Sequence, residues 1–141
     1  MQGGDLEAPS VERVIIVIEG VLCNVRAIEQ EAGRWRKVRR IVGYHINWYD
    51  VPLKRTVYLK EHYPHFSLEA ITFLGDDFLE SASEFLNDAG IPFASVTEMS
   101  LERFVYGLRF QDTIRAIYDS DPARLDRYGQ LGVQVQPGSD F

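Results

Sequence analysis

The sequence predicts an α/β domain: a small parallel sheet covered by helices, with an antiparallel β-meander or hairpin inserted at about residues 21–60. Three observations carry this. Val14-Ile15-Ile16-Val17-Ile18 is an unbroken run of β-branched apolar residues. A run that short, without alternation, reads as a strand buried on both faces. From Ser67, helical apolar spacing alternates with short apolar runs, the order that gives parallel strands joined by right-handed crossovers. Between these regions, β-branched and aromatic residues are frequent and alternate loosely with polar ones.

In chain order, residues 1–10 read as a flexible leader and residues 11–141 as one domain. Ile41–Tyr49 and Thr56–Leu59 flank Asp50-Val51-Pro52-Leu53 and are expected to pair as a hairpin, joined by a third strand around Arg34 to Arg40. Residues 61–67 are expected to form a loop. Phe78, Leu79, Ala82, Phe85 and Leu86 have helical spacing over 77–88, and Gly90 ends that helix. Ile91–Val96 reads as a strand. Ser100 caps a helix over 101–109. Thr113–Tyr118 reads as a strand, Asp121-Pro122 opens a helix to about Gln130, and Val133–Gln136 is the last strand.

Length and composition suit one domain: 141 residues, 45% hydrophobic and 26% charged. The net charge of −6 disfavours a general nucleic-acid coat but leaves room for a local basic patch. A single cysteine, Cys23, excludes an intramolecular disulfide. No apolar run is long enough to cross a membrane, and the first residues lack the features of a signal peptide. The expected location is the cytoplasm, that of a host if the chain is phage-encoded.

Ligands of parallel α/β sheets bind beyond the carboxyl ends of the strands. The residues expected there are Glu19, Thr97, and Asp119 with Asp121. In sequence they stand in Val17-Ile18-Glu19-Gly20-Val21-Leu22, in Gly90-Ile91-Pro92-Phe93-Ala94-Ser95-Val96-Thr97, and in Ala116-Ile117-Tyr118-Asp119-Ser120-Asp121. These three segments resemble the first, second and fourth motifs of the haloacid dehalogenase (HAD) phosphohydrolases. The tail, Leu131 to Gln136 with Asp140-Phe141, is similar to the end of the 3′-phosphatase domain of phage polynucleotide kinases. The resemblance covers about residues 13–19 and 70–141. It implies a Rossmann-type sheet and places 21–60 as a cap or flap.

What the resemblance implies about chemistry fails at its first position. In that family the first motif's leading Asp attacks phosphorus, and here Val17 stands in its place. Losing a covalent nucleophile can cost on the order of 10⁶ in rate. Glu19 takes the place of the general acid and base, one methylene longer. No Lys follows Lys60, so phosphate binding would fall to Thr97, Arg103 and Arg109. Mg²⁺, if the site is retained, would be held by Glu19, Asp119 and Asp121. Otherwise no cofactor is expected.

Each of these residues also has a plainer reading. Glu19 can be a turn residue, Thr97 a strand end, Asp119 a turn acid, and Asp121 a helix cap. Gly75-Asp76-Asp77 suits a helix start. His62 and His65 are separated by Pro64 and lack a third ligand, which argues against zinc. Arg34, Trp35, Arg36, Lys37, Arg39 and Arg40 make a basic run that is either a solvated strand face or a docking surface for nucleic acid or an acidic protein.

The expected function is therefore a catalytically degenerate domain that acts as a binding or assembly module, with a protein as the expected partner, nucleic acid as the alternative through the basic run, and no membrane. Two alternatives remain. One is a Mg-dependent phosphohydrolase using Glu19 and Asp119 on a small phosphate ester or a nucleic-acid 3′-phosphate. The other is a structural, virion-type interaction protein.

Overall fold

The computed structural model describes residues 11–33 and 38–141. Strand β1 (Arg13–Val17) lies at the centre of a five-stranded sheet. The other strands are β4 (Ser67–Thr72), β5 (Ser95–Glu98), β6 (Ile114–Asp119) and β7 (Val135–Pro137), in the order β5-β4-β1-β6-β7. Every pairing in this sheet is parallel. The apolar run predicted β1 correctly, and the reason is visible in its two faces. Val14 and Ile16 enter one core with Leu68, Ala70, Phe78 and Leu86. Ile15 and Val17 enter the other with Ile71, Phe104, Ile117 and Tyr128.

The first core is covered by α1 (Asp50–His62), α2 (Asp76–Asp88) and the base of a hairpin; the second by α3 (Leu101–Leu108) and α4 (Pro122–Gln130). The hairpin forms a separate two-stranded antiparallel sheet of β2 (Cys23–Ala32) and β3 (Val38–Trp48). Trp48 stacks on Phe85 at 4.3 Å, and Tyr44 meets Phe78 edge-on at 5.5 Å. These aromatics anchor the hairpin to α2 and so are turned toward the core.

Four expectations are corrected. The segment Thr56–Leu59, expected as a strand, belongs to α1, and β3 pairs backward with β2. Pro52 sits in the first turn of α1, where its missing N–H costs nothing, and Leu53 and Thr56 are buried at helical spacing. No element was expected at 67–72, yet β4 is there, its polar Glu69 held by Arg13 at 2.6 Å. The strand expected at 91–96 begins only at Ser95, after a loop through Pro92. The third strand expected around Arg34 to Arg40 is, in its described part, the start of β3, where Val38, Arg39 and Arg40 pair with Ala32, Glu31 and Gln30. Gly75-Asp76-Asp77 does open α2 as expected, with no side-chain cap. The expected leader at 1–10 and the residues Arg34, Trp35, Arg36 and Lys37 lie outside the described residues.

The chain leaves β1 in a single tight turn, Ile18–Val21, with Gly20 at φ 94°. A Cβ at Gly20 would lie 1.8 Å from Ser120 Oγ. Glycine is required here both for the backbone conformation and for the approach of the β6 end. The turn at Glu19 is thereby pressed against the segment that carries Asp119.

Candidate functional site

At the carboxyl end of the sheet, Thr97, Ile71 and Val17 stand in one register row across β5, β4 and β1. Asp119 closes β6 one residue beyond Tyr118, which is opposite Ile16. Val17 is fully buried among Ile71, Phe104, Ile117 and Tyr128. The position that the resemblance assigns to a nucleophile is thus part of an apolar core.

Asp119 is also fully buried, and a carboxylate there requires a partner. It has four. Oδ2 accepts from Arg124 Nε at 2.8 Å and from the Tyr128 hydroxyl at 2.8 Å. Oδ1 accepts from Arg124 Nη2 at 2.8 Å and from the Asp121 N–H at 3.1 Å. A carboxylate offers about four lone-pair sites, and all are used. The bidentate fork is the strong geometry for this pair. It holds the Arg124 guanidinium well above its usual range, chiefly through the hydrogen bonds to Asp119. Burial, with the Asp119 charge beside it, pushes the Tyr128 phenol up as well.

Asp121 behaves as its place before Pro122 predicts. Its Oδ1 accepts from the N–H groups of Ala123 at 2.9 Å and Arg124 at 3.4 Å, capping α4. Its Oδ2 faces Arg124 Nη1 at 3.3 Å.

Glu19 is placed differently. Its Oε2 accepts from the Phe73 N–H at 3.0 Å, while Oε1 is buried with no hydrogen-bond partner. Desolvation raises its pKa above the usual carboxylate range, opposed by backbone hydrogen bonding, that of Phe73 included, and by the charge of Arg124. Phe73 joins the two carboxylates: its N–H holds Glu19, and its ring lies 5.3 Å from Arg124 Cζ. Cys23, behind the turn, donates to the Ile18 carbonyl at 3.6 Å, and burial pushes its thiol up to about 12, so it is an inert core residue.

The residues expected to bind phosphate do not join this group. Thr97 is exposed on the edge strand, about 10 Å from β1 across β4. It lines a groove of about 510 Å³ under α3 with Arg103, Ile71, Met99 and Tyr106. Arg109 lies at the opposite, amino end of the sheet, in a cleft with Thr113, Arg115 and Gln134. The threonine beside Glu19 is Thr72, fully buried at the end of β4. Of the basic run, Arg39 and Arg40 are exposed, with Arg39 at 3.7 and 3.8 Å from Glu29 and Glu31 on β2.

Sequence reasoning brings Glu19, Asp119 and Asp121 to one end of the sheet but misses Thr72, Phe73, Arg124 and Tyr128. The signals were present. Ala70-Ile71-Thr72 is an apolar run ending in Thr, as Ser95-Val96-Thr97 is, and Arg124 and Tyr128 are four apart on one helix face.

The donor set does not fit Mg²⁺, which needs several free oxygens in octahedral geometry. Asp119 has no lone pair free, Asp121 serves α4 and Arg124, and Glu19 alone keeps an open oxygen. Among the described residues, no group of three or more His, Cys, Asp or Glu is placed to hold a metal ion. Among them, too, no helix is long and apolar enough to cross a membrane.

This arrangement defines an α/β domain of Rossmann-like build whose strand-end carboxylates are largely self-satisfied. It is similar in fold to a chain of a solved structure described as "Structure of the Pnkp1/Rnl/Hen1 RNA repair complex", with a TM-score of 0.62 and 10% identity. The likeness spans 93% of this chain and 43% of that one, so this chain corresponds to under half of its neighbour's length. No family model and no curated protein matches the sequence.

Proposed function

We propose that this chain is a degenerate HAD-like domain that binds or assembles rather than hydrolyses, in a nucleic-acid-repair or phage setting. The observation that carries the reading is Val17, fully buried at the position of the family's nucleophile. An isopropyl group can neither attack phosphorus nor bind a metal. The saturated Asp119 supports the same conclusion. A central β1 followed by a tight turn and a hairpin supports the HAD-like ancestry. The likeness to a chain of an RNA repair complex supports the setting and a protein partner. The hairpin, with Arg39 and Arg40 exposed and further basic residues between its strands, is the contact surface in this reading. The same basic run is the route by which nucleic acid would bind.

One observation favours an active enzyme. Glu19 is a desolvated carboxyl group with a raised pKa and one unpartnered oxygen, features that suit a proton-transfer role. The test is incubation with p-nitrophenyl phosphate and with a 3′-phosphorylated oligonucleotide, each in millimolar Mg²⁺. The expected result is no release of phosphate above the buffer blank. Turnover abolished by Glu19→Gln would overturn the binding-module reading.

A further inference from the structure

The hairpin carries charge of the opposite sign to the rest of the molecule. Its span, residues 23–48, holds six of the 15 Lys and Arg but only two of the 21 Asp and Glu. The pairing of β2 with β3 sorts these charges onto two faces. Glu29, Glu31 and Arg39 share the side that meets the core at the hairpin base, and Arg39 lies 3.7 and 3.8 Å from the two glutamates. The opposite face presents the cross-strand pairs Asn24–Asn47, Arg26–His45 and Gln30–Arg40, all exposed. Among the described residues, no acid stands on that face.

We propose that this acid-free face binds duplex DNA by its phosphate backbone, with the ribbon of β2 and β3 lying in the major groove. The inference rests on the binding-module reading and names its partner and the face that meets it.

The side chains on the face fit that partner. Arg, His, Asn and Gln all donate hydrogen bonds to phosphate oxygens. Stacking is not what the face offers. Tyr44 and Trp48 are turned inward onto Phe78 and Phe85, so a single strand, which needs aromatic platforms, is poorly served. The dimensions also fit. Two strands about 4.8 Å apart make a ribbon that the B-form major groove, about 12 Å wide, admits. The A-form groove of RNA is too deep and narrow for it. The register shift after Ile28 bends the ribbon, and beyond it Glu29, Glu31 and Ile41 are exposed. The distal ribbon thus stands clear of the core. Arg34, Arg36 and Lys37 lie between the two strands in sequence and add to the same charge. The acidic remainder of the chain repels a polyanion, which leaves the hairpin as the side of approach.

Fluorescence anisotropy of a labelled, random-sequence DNA duplex with the full chain tests this. The wild type is expected to bind at about 50 mM NaCl and to weaken on the order of 100-fold or more by about 200 mM. Arg26→Gln with Arg40→Gln is expected to weaken binding and to make the slope of log K against log salt shallower by about 2. Arg39→Gln, next to Arg40 in sequence but on the other face, is expected to leave affinity within about twofold. An RNA duplex and a single DNA strand of the same sequence are each expected to bind at least about tenfold more weakly. No binding by the wild type at low salt overturns the proposal, as does an Arg39→Gln loss equal to that of the double variant. Equal affinity for the RNA duplex or the single strand overturns it too. Thermal unfolding checks that the variants are folded. If the double variant is not, the single changes Arg26→Gln and Arg40→Gln carry the test, each making the slope shallower by about 1. Phosphate release is not read here, so a failure is distinct from failure of the inactive-site reading, which Val17 carries.

Discussion

Two neighbouring strand ends meet at the carboxyl edge of this sheet, and they handle a carboxylate in opposite ways. The β6–α4 end satisfies Asp119 completely, with Arg124, Tyr128 and the Asp121 N–H all drawn from the next nine residues of chain. The β1 end leaves Glu19 half satisfied, its one hydrogen bond coming from Phe73, 54 residues away. The first is a closed local unit, set by a helix cap and two residues on one helix face. The second depends on β4 arriving beside β1. The contrast teaches that the acid most like a ligand in sequence is structural here, and the acid with an unpartnered oxygen is the one two residues beyond the buried Val17.

The comparison can be broken first at Asp119. Asp119→Ala strands a guanidinium and a buried phenol, and is expected to destabilise by about 3–5 kcal/mol in urea unfolding. A loss below about 1 kcal/mol would mean that the network contributes little. Next is the contact that brings the two ends together. Gly20→Ala forces a positive φ on an L-residue and a collision with Ser120 Oγ, a cost of about 2 kcal/mol or more. Ser120→Gly is expected to restore part of it, because one of the two faults is removed. If no part is restored, backbone strain alone carries the penalty.

A smaller effect is expected at Glu19, and its sign depends on pH. The raised pKa means that the folded state holds the proton more tightly than the unfolded state. Burial of the charged form therefore destabilises above the folded pKa, and that penalty is lost as pH falls toward the ordinary carboxylate value. Glu19→Gln is expected to stabilise at neutral pH by about 1 kcal/mol or less, with the gain shrinking as pH is lowered through that window. A gain that grows in acid would contradict the assignment. Smallest of all, Thr97→Ala on the exposed edge strand is expected to change stability by less than about 0.5 kcal/mol.

The same contrast explains what the sequence disclosed. Features set by short-range chemistry were legible: the doubly buried β1, the Asp121-Pro122 start of α4, the Ser100 cap of α3, and Gly90 ending α2. Features set by distant partners were not. Ser67–Thr72 hides as a strand because Glu69 interrupts its apolar pattern, and only Arg13 from β1 makes that residue tolerable there. With that strand hidden, the sequence points to Thr97, one strand farther out than the Thr72 that stands beside Glu19. Thr56–Leu59 carries β-branched and aromatic side chains that suggest a strand, and the residues around it lie in the helix Asp50–His62. They form a helix because Leu53 and Thr56 find a core to enter, a tertiary preference that outweighs propensity.

The central claim is that Asp119 is an internal ion-pair anchor and not a ligand held for metal or phosphate. A double-mutant cycle of Asp119→Asn and Arg124→Met, read by urea unfolding, tests it most directly. A coupling energy of about 2 kcal/mol or more is predicted, because Arg124→Met leaves the Asp119 carboxylate buried without its counter-charge and Asp119→Asn takes from the half-buried guanidinium its bidentate partner. Additivity within about 0.5 kcal/mol would contradict the account, by showing that the carboxylate and the guanidinium do not depend on each other.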